Sequence, residues 1–459
     1  MKTTLFAAIA VGVLALPRPA PAQTALPADL QTKVDAAVAD VLTKTGVPSA
    51  SVGIVVGGRV VLTKGYGQAR LTPPLAATAD LHYAIGSLSK QFTTAAILLL
   101  QQDGKLSIDD PIAKYFPDLS GAKEVTIRNI LSHTSGYRDY APQDYTIPEW
   151  TKRTTANDII YKWATQPLDF DPGTQYQYSN TNFNIAGLIV EKVSGEPFWK
   201  FLSRRVLAPL NMTRTLDLDT EHDKVEPVGY MRNALGPLRP AIMEAPGWYF
   251  ADGEMAMPVG DLLLWDISLM NRSLLAPASY EAMETDQKLK NGRTAGYGLG
   301  VQLGMRDGHR VVSHGGEVGG FVAQNTVLPD DKIAVAVLTN QEASAAAGGI
   351  ARAITGLLLP NPEGQARQII EGLQQGKIDR ALFTANCNFF FNQTSLSDHA
   401  SSLGPLGAVQ SVTQSSTSLR GGMTFRAFDV AFANGTKVRL TTYTTADGTL
   451  EQFLIAPAG

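Results

Sequence analysis

The sequence predicts an α+β fold: an antiparallel sheet flanked by helices, a helical subdomain beside it, and a small helix-plus-antiparallel-sheet domain at the C-terminal end. Three observations carry that expectation. β-rich runs occur early, in SVGIVVGGRVVLTKGYG (51–67), and the strand pattern returns only between Tyr297 and Asn340. The stretch between, 105–290, alternates helical segments with Pro/Gly-rich loops. Beyond a Pro/Gly-punctuated stretch at 359–364, helical spacing is followed by four strand-like runs.

Taken in order, Leu30 to Leu42 has helical apolar spacing, and Gly57-Gly58 sits between two β-rich runs as a hairpin signal. SKQFTTAAILLLQQ (89–102) reads as a strongly apolar helix stopped near Gly104. YGLGVQLG, HRVVSHGG, FVAQNTVLP and KIAVAVLTN are four strands separated by short turns, and Ala345 to Leu358 is helical. One sheet is therefore expected from both ends of a domain spanning 30–358. After the linker at 359–364, the domain at 365–459 is expected to hold a helix from about Gln365 to Phe383. Strands are expected near 408–417, 423–432, 436–445 and 449–456, with Asn434-Gly435 and Asp447-Gly448 as two-residue turns. Its layout weakly resembles cystatin-like or nuclear-transport-factor-like domains.

Composition narrows the function. The 459 residues carry a formal net charge of −3, with 44% hydrophobic and 18% charged residues, so there is no basic field to attract nucleic acid or an anionic membrane. Lys2, the apolar run Leu5 to Leu16 and Ala20-Pro21-Ala22 read as an export signal spanning 1–22, which places the chain in the periplasm or outside the cell. Cleavage there removes Lys2 and Arg18 but no acid, giving −3 − 2 = −5. No second apolar run is long enough to span a bilayer. A lone cysteine, Cys387, cannot close a disulfide within the chain and lies in the apolar stretch CNFFF, which suits packing.

Three short elements carry chemistry. A serine hydroxyl needs a base within hydrogen-bond reach, and in GSLSK the side chains of Ser87 and Lys90 share one helix face. Burial at the mouth of an apolar helix would lower the lysine pKa towards neutrality. The spacing alone is common: Ser120-Gly-Ala-Lys123 repeats it in a loop with no apolar helix behind, and reads as surface. On spacing and context, Ser87 is either a nucleophile or a helix cap. In YSN, Tyr178 and Asn180 can face one cleft. The phenol, with its pKa depressed by a nearby ammonium, can relay a proton, and the carboxamide can bind substrate or orient Lys90. In SHGGEVGGF, Gly315 and Gly316 at a strand end permit close approach of a substrate, and backbone N–H groups there can join that of Ser87 in an oxyanion hole. His314 can hydrogen-bond substrate or tune Tyr178. A Gly-rich turn with an incidental histidine is the competing reading. There is no GxSxG elbow, HExxH or clustered His/Cys set, so no metal and no cofactor is expected.

In the order GSLSK, YSN, HGG, these elements resemble the serine β-lactamase and penicillin-binding protein superfamily, in its class C-like branch with D-Ala-D-Ala carboxypeptidases, D-aminopeptidases and esterases. LSHTSGY (131–137), PGTQYQYSN (172–180), VLAPLNM (206–212), YGLGV (297–301) and VLTN (337–340) extend the likeness over roughly residues 30–358. The resemblance implies an acylated Ser87, activated by Lys90, with Tyr178 as acid/base. It implies substrate binding by Asn180, His314, Gly315 and Gly316, and an oxyanion contact from the Glu317 backbone N–H. It assigns LSHTSGY, with His133, a structural role. His314 stands where the branch often has the lysine of a KTG triplet, and Glu317 adds an acid beside it. Both disfavour a carboxylate-anchoring β-lactamase or carboxypeptidase, and leave an esterase or a peptidase for neutral or amine-bearing substrates. The expected partner is a small molecule or short peptide. A penicillin-binding or sensor protein that acylates without turnover is the alternative.

Overall fold

The computed structural model describes residues 25–306, 308–359, 361–445 and 448–458, so the export signal at 1–22, Pro360 and Asp447 lie outside the described residues. The chain forms two compact units that divide between Thr355 and Gly356.

The first unit is built on a seven-stranded antiparallel sheet. Helix α1 (Ala28–Thr45) precedes strands β1 (Ser49–Val56) and β2 (Arg59–Arg70). Gly57 and Gly58, at φ 60° and 72°, supply the left-handed backbone of a tight two-residue hairpin. The other main strands come from far along the chain: β3 (Gln302–Arg306), β4 (His309–Val318), β5 (Phe321–Leu328) and β6 (Ile333–Thr339). β6 pairs with β1 in the register Ser51 opposite Leu338, so the sheet runs β2-β1-β6-β5-β4-β3, with the short strand Leu75–Ala76 outside β2. Every residue of β6 is buried, as a strand covered on both faces requires.

Helix α2 (Ser89–Gln102) is buried from Ser89 through Leu100, which explains its nearly uninterrupted apolar character. Helix α3 (Asn180–Ser194) is buried from Thr181 through Val190 and ends at Gly195 in the left-handed conformation. Helix α4 (Val259–Asn271) lies on the sheet at Gly53, where a Cβ would fall 2.8 Å from Leu263. Helix α5 (Ala346–Leu358) lies against α1, with Gly349 facing Val41. Besides α3 and α4, residues 105–290 hold short helices, loops and strands of two or three residues, in keeping with the helical segments and loops read from their sequence.

The second unit carries a four-stranded antiparallel meander, β7 (Val409–Arg420), β8 (Met423–Phe432), β9 (Lys437–Thr444) and β10 (Leu450–Pro457). Its helices differ from the sequence expectation. Helix α6 (Pro362–Leu373) starts inside the stretch read as a linker, because Asn361 caps it, accepting from Gly364 N at 2.7 Å, and Pro362 occupies the first turn. It also stops ten residues early. Thr384 and Asn392 cap two further helices, Ala385–Phe390 and α7 (Gln393–Leu403). Ile370, Leu373, Phe391, Phe428, Leu440 and Phe453 form the core, and Cys387 packs beside them as a buried free thiol.

Candidate active site

The site begins with a glycine contact. Ser87 lies in the single turn Gly86–Leu88 that leads into α2. Gly86 has φ 52°, and a Cβ on it would fall 2.7 Å from the Glu317 amide nitrogen on β4. Opposite, a Cβ on Gly316 would fall 1.9 Å from the Ile85 carbonyl oxygen and 3.0 Å from the Ser87 nitrogen. Both positions exclude a side chain, so the backbone amides of Ser87 and Glu317 are brought to one spot. Gly315 meets no such limit; its nearest neighbour, Gln324 Oε1, would sit 3.6 Å from a Cβ.

Lys90, the second residue of α2, is completely buried. Its Nζ lies 2.8 Å from Ser87 Oγ, 2.8 Å from Asn180 Oδ1 and 2.9 Å from the backbone carbonyl of Asp252. Burial lowers its pKa to about 8, against the pull of the Asp252 and Asp139 carboxyls. Two of its three partners can only accept. A neutral amine gives its two protons to them and turns its lone pair to the one partner that can donate, the Ser87 hydroxyl.

Asn180, the first residue of α3, is oriented by Asp139. The Asp139 carboxylate accepts from the Asn180 backbone N–H at 2.9 Å and lies 3.4 Å from Nδ2, which leaves Oδ1 for Lys90. The Oδ1 contact gives the reading that Asn180 orients Lys90 a geometric basis.

The Tyr178 ring centroid lies 5.1 Å from Lys90 Nζ. The depressed phenol expected from that proximity is reversed. Burial holds the hydroxyl well above its ordinary pKa, with a hydrogen bond to Ser87 acting against it. Tyr178 therefore stands as a proton donor. His133 stacks on it at 4.2 Å and, through Nδ1, accepts from Ser179 N at 3.1 Å, so it braces the YSN segment.

His314 is 2% exposed and has both nitrogens engaged. Nδ1 faces the Gly315 carbonyl at 2.5 Å and must carry the proton, so Nε2 accepts from Tyr297 Oη at 2.7 Å. Burial and the Lys90 charge lower its pKa to about 4, keeping it neutral. The expected substrate hydrogen bond from His314 thus has no free nitrogen to make it. The Glu317 side chain turns to the Ala343 backbone N–H, 2.6 Å away.

Ser87, Tyr178, Asn180 and the segment 314–317 line a cleft of about 810 Å³, together with Tyr140, Trp150, Trp248, Asp144, Glu244 and Glu342, and Lys90 lies buried behind Ser87. Among the described residues, no group of three His, Cys, Asp or Glu side chains could hold a metal ion, and no helix is long and apolar enough to cross a membrane. Sequence reading missed Asp139, Tyr140, Asp252 and Tyr297. The segments holding Asp139–Tyr140 and Asp252 carry no motif, and Tyr297 was visible only as the first residue of YGLGV.

Comparison with known proteins places this geometry. The Beta-lactamase family model matches residues 34–358. A D-aminopeptidase of Cereibacter sphaeroides is 30% identical over 334 residues, 71% of this chain and 64% of that protein. Protein flp of Staphylococcus aureus is 33% identical over 210 residues, 44% of this chain; the match spans about two fifths (41%) of flp. In fold, an octameric penicillin-binding protein homologue from Pyrococcus abyssi superposes with a TM-score of 0.62 at 22% identity, covering 93% of this chain and 99% of its own. The chain belongs to the Beta-lactamase family.

Proposed function

We propose that the protein is an exported serine hydrolase that cleaves esters or amides through an acyl-enzyme on Ser87. The observation that carries this is the hydrogen-bond arithmetic at Lys90: a buried amine with two obligate acceptors and one hydroxyl is arranged to receive the hydroxyl's proton. Ser87 Oγ attacks the substrate carbonyl and passes its proton to Lys90 Nζ. The oxyanion is held by the amides of Ser87 and Glu317. Tyr178, neutral and adjacent, gives a proton to the leaving group and recovers one from Lys90. A water molecule then repeats the sequence on the acyl-enzyme, returning the Ser87 hydroxyl and releasing the acid.

The cleft favours neutral or amine-bearing substrates over anionic ones. His314 offers neither charge nor a free nitrogen, whereas Asp144, Glu244, Glu317 and Glu342 all line the walls. A D-aminopeptidase among the relatives is consistent with that preference. Export rests on the charge and apolar pattern of residues 1–22, and fractionation of cells expressing the full chain checks it.

A fluorophosphonate probe is expected to label the protein and to fail on Ser87→Ala. Labelling that persists in the variant overturns the reading. A panel of nitrophenyl esters, D-amino-acid amides, D-Ala-D-Ala peptides and a chromogenic cephalosporin then ranks substrates. A stable acyl-protein with no turnover on any of them would instead make it a binding protein.

A further inference from the structure

Asp252 contributes twice to the site. Its backbone carbonyl holds Lys90 Nζ at 2.9 Å, and its side chain, 4% exposed in the residue as a whole, turns to Tyr140. The Tyr140 hydroxyl has one proton and two neighbours: the Trp248 backbone oxygen at 2.6 Å and Asp252 Oδ2 at 3.0 Å. The Trp248 carbonyl can only accept, and it is the nearer, so the Tyr140 proton points there. Asp252 Oδ2 then faces the lone pairs of the phenol oxygen, and that contact is a hydrogen bond only if the carboxyl supplies a proton. Asp252 Oδ1 is buried without a protein partner, which suits the carbonyl of a neutral acid better than half of a carboxylate.

We propose that Asp252 is a positioning residue for Lys90, resting as a neutral acid that donates to Tyr140, and that this form keeps the Lys90 amine free to take the Ser87 proton. The proposal rests on Ser87 and Lys90 acting as proposed above. The charged or titratable groups facing Asp252 are Lys90 on α2, Asp139 and Tyr140 in the segment after LSHTSGY, Tyr178 in YSN, and Glu254 two residues along. Burial is the largest influence on both groups, raising the carboxyl and lowering the amine, so their affinities for a proton converge. A single proton between the pair has two places to be. On Lys90 it leaves an ion pair with no base. On Asp252 it leaves a neutral amine, and the proton stays there while the Ser87 proton moves to Lys90 and on to the leaving group.

The test is the acid limb of kcat/KM against pH, read on an ester whose hydrolysis Ser87→Ala abolishes. Failure here therefore leaves the nucleophile assignment standing. Asp252→Asn, neutral at every pH as the proposal holds Asp252 to be while Lys90 titrates, is expected to leave the limb within about 0.3 unit of wild type. Tyr140→Phe removes the acceptor of the acid proton, and the limb is expected to move to higher pH. A charged Asp252 accepting from Tyr140 would give the opposite shift in Tyr140→Phe. That result, or a limb lowered by about one unit in Asp252→Asn, as loss of a carboxylate beside Lys90 would give, overturns the proposal. Should neither variant fold, wild-type protein labelled at the aspartate carboxyl carbons answers the question. A neutral-acid resonance at pH 6 that moves when Ser87 is acylated supports the proposal, and none responding to acylation overturns it.

Discussion

Ser-x-x-Lys occurs twice in this chain, and the two copies could hardly differ more. Lys90 is wholly buried, with three partners fixed by α2, α3 and the turn at Asp252. In the other copy, Ser120 gives its hydroxyl to the Thr165 carbonyl at 2.9 Å, and Lys123 is exposed on a turn with Gly121 at φ 60°. Identical spacing thus yields a buried, fully partnered amine in one place and an exposed one in the other. The chemistry lies in the enclosure and in the acceptors waiting around the amine, and three residues of sequence carry none of that.

The comparison can be broken most sharply by truncating both lysines. Lys90→Ala is expected to cut kcat/KM by at least about 10³-fold, and Lys123→Ala to leave it within error. Equal losses, measured on one ester, would erase the distinction. A smaller effect is expected from Tyr297→Phe, which leaves the buried His314 Nε2 without its donor. Urea denaturation should show a loss of about 1–3 kcal/mol. The smallest is a pH effect that extends the lesson to a carboxyl. Asp266 is fully buried, receives one hydrogen bond from Asn325 at 2.5 Å, and is raised by that burial to about 8. Its folded-state pKa lies above the unfolded value of 3.8, so the folded chain binds the extra proton between those limits. That stabilising contribution is complete below about pH 4 and is lost as pH rises towards 8. Melting temperatures at pH 5.5 and 8 should fall in that order, and Asp266→Asn should flatten the difference.

Much of this was legible in the residues. GSLSK, YSN and HGG come together in one cleft, and the sheet draws on both ends of the first unit, because apolar runs and glycines report local burial and close approach directly. The unread part depends on contacts between distant segments. The Asp252 carbonyl meets Lys90 across 162 residues, and any residue type supplies a carbonyl. The state of Tyr178 was misjudged because proximity to a lysine was visible and total burial was not. His314 was visible as a histidine, but its engagement by Tyr297 and its own neighbour's carbonyl depended on the turn at 297–301. In the second unit, Asn361, Thr384 and Asn392 each cap a helix that apolar spacing had merged or missed.

The pairing of β1 with β6 also orders events in time. Synthesis runs from the N-terminus, so Ser87 and Lys90 emerge long before Leu338 can dock opposite Ser51. The Glu317 amide, half of the proposed oxyanion hole, arrives on that same late segment. On the proposed reading, a nascent chain therefore holds Ser87 without the Glu317 amide that would stabilise its transition state. Closing a loop of that length delays competence further, since distant pairings are slow to find. On the proposed reading the site stays incomplete until β4 and β6 have joined the sheet.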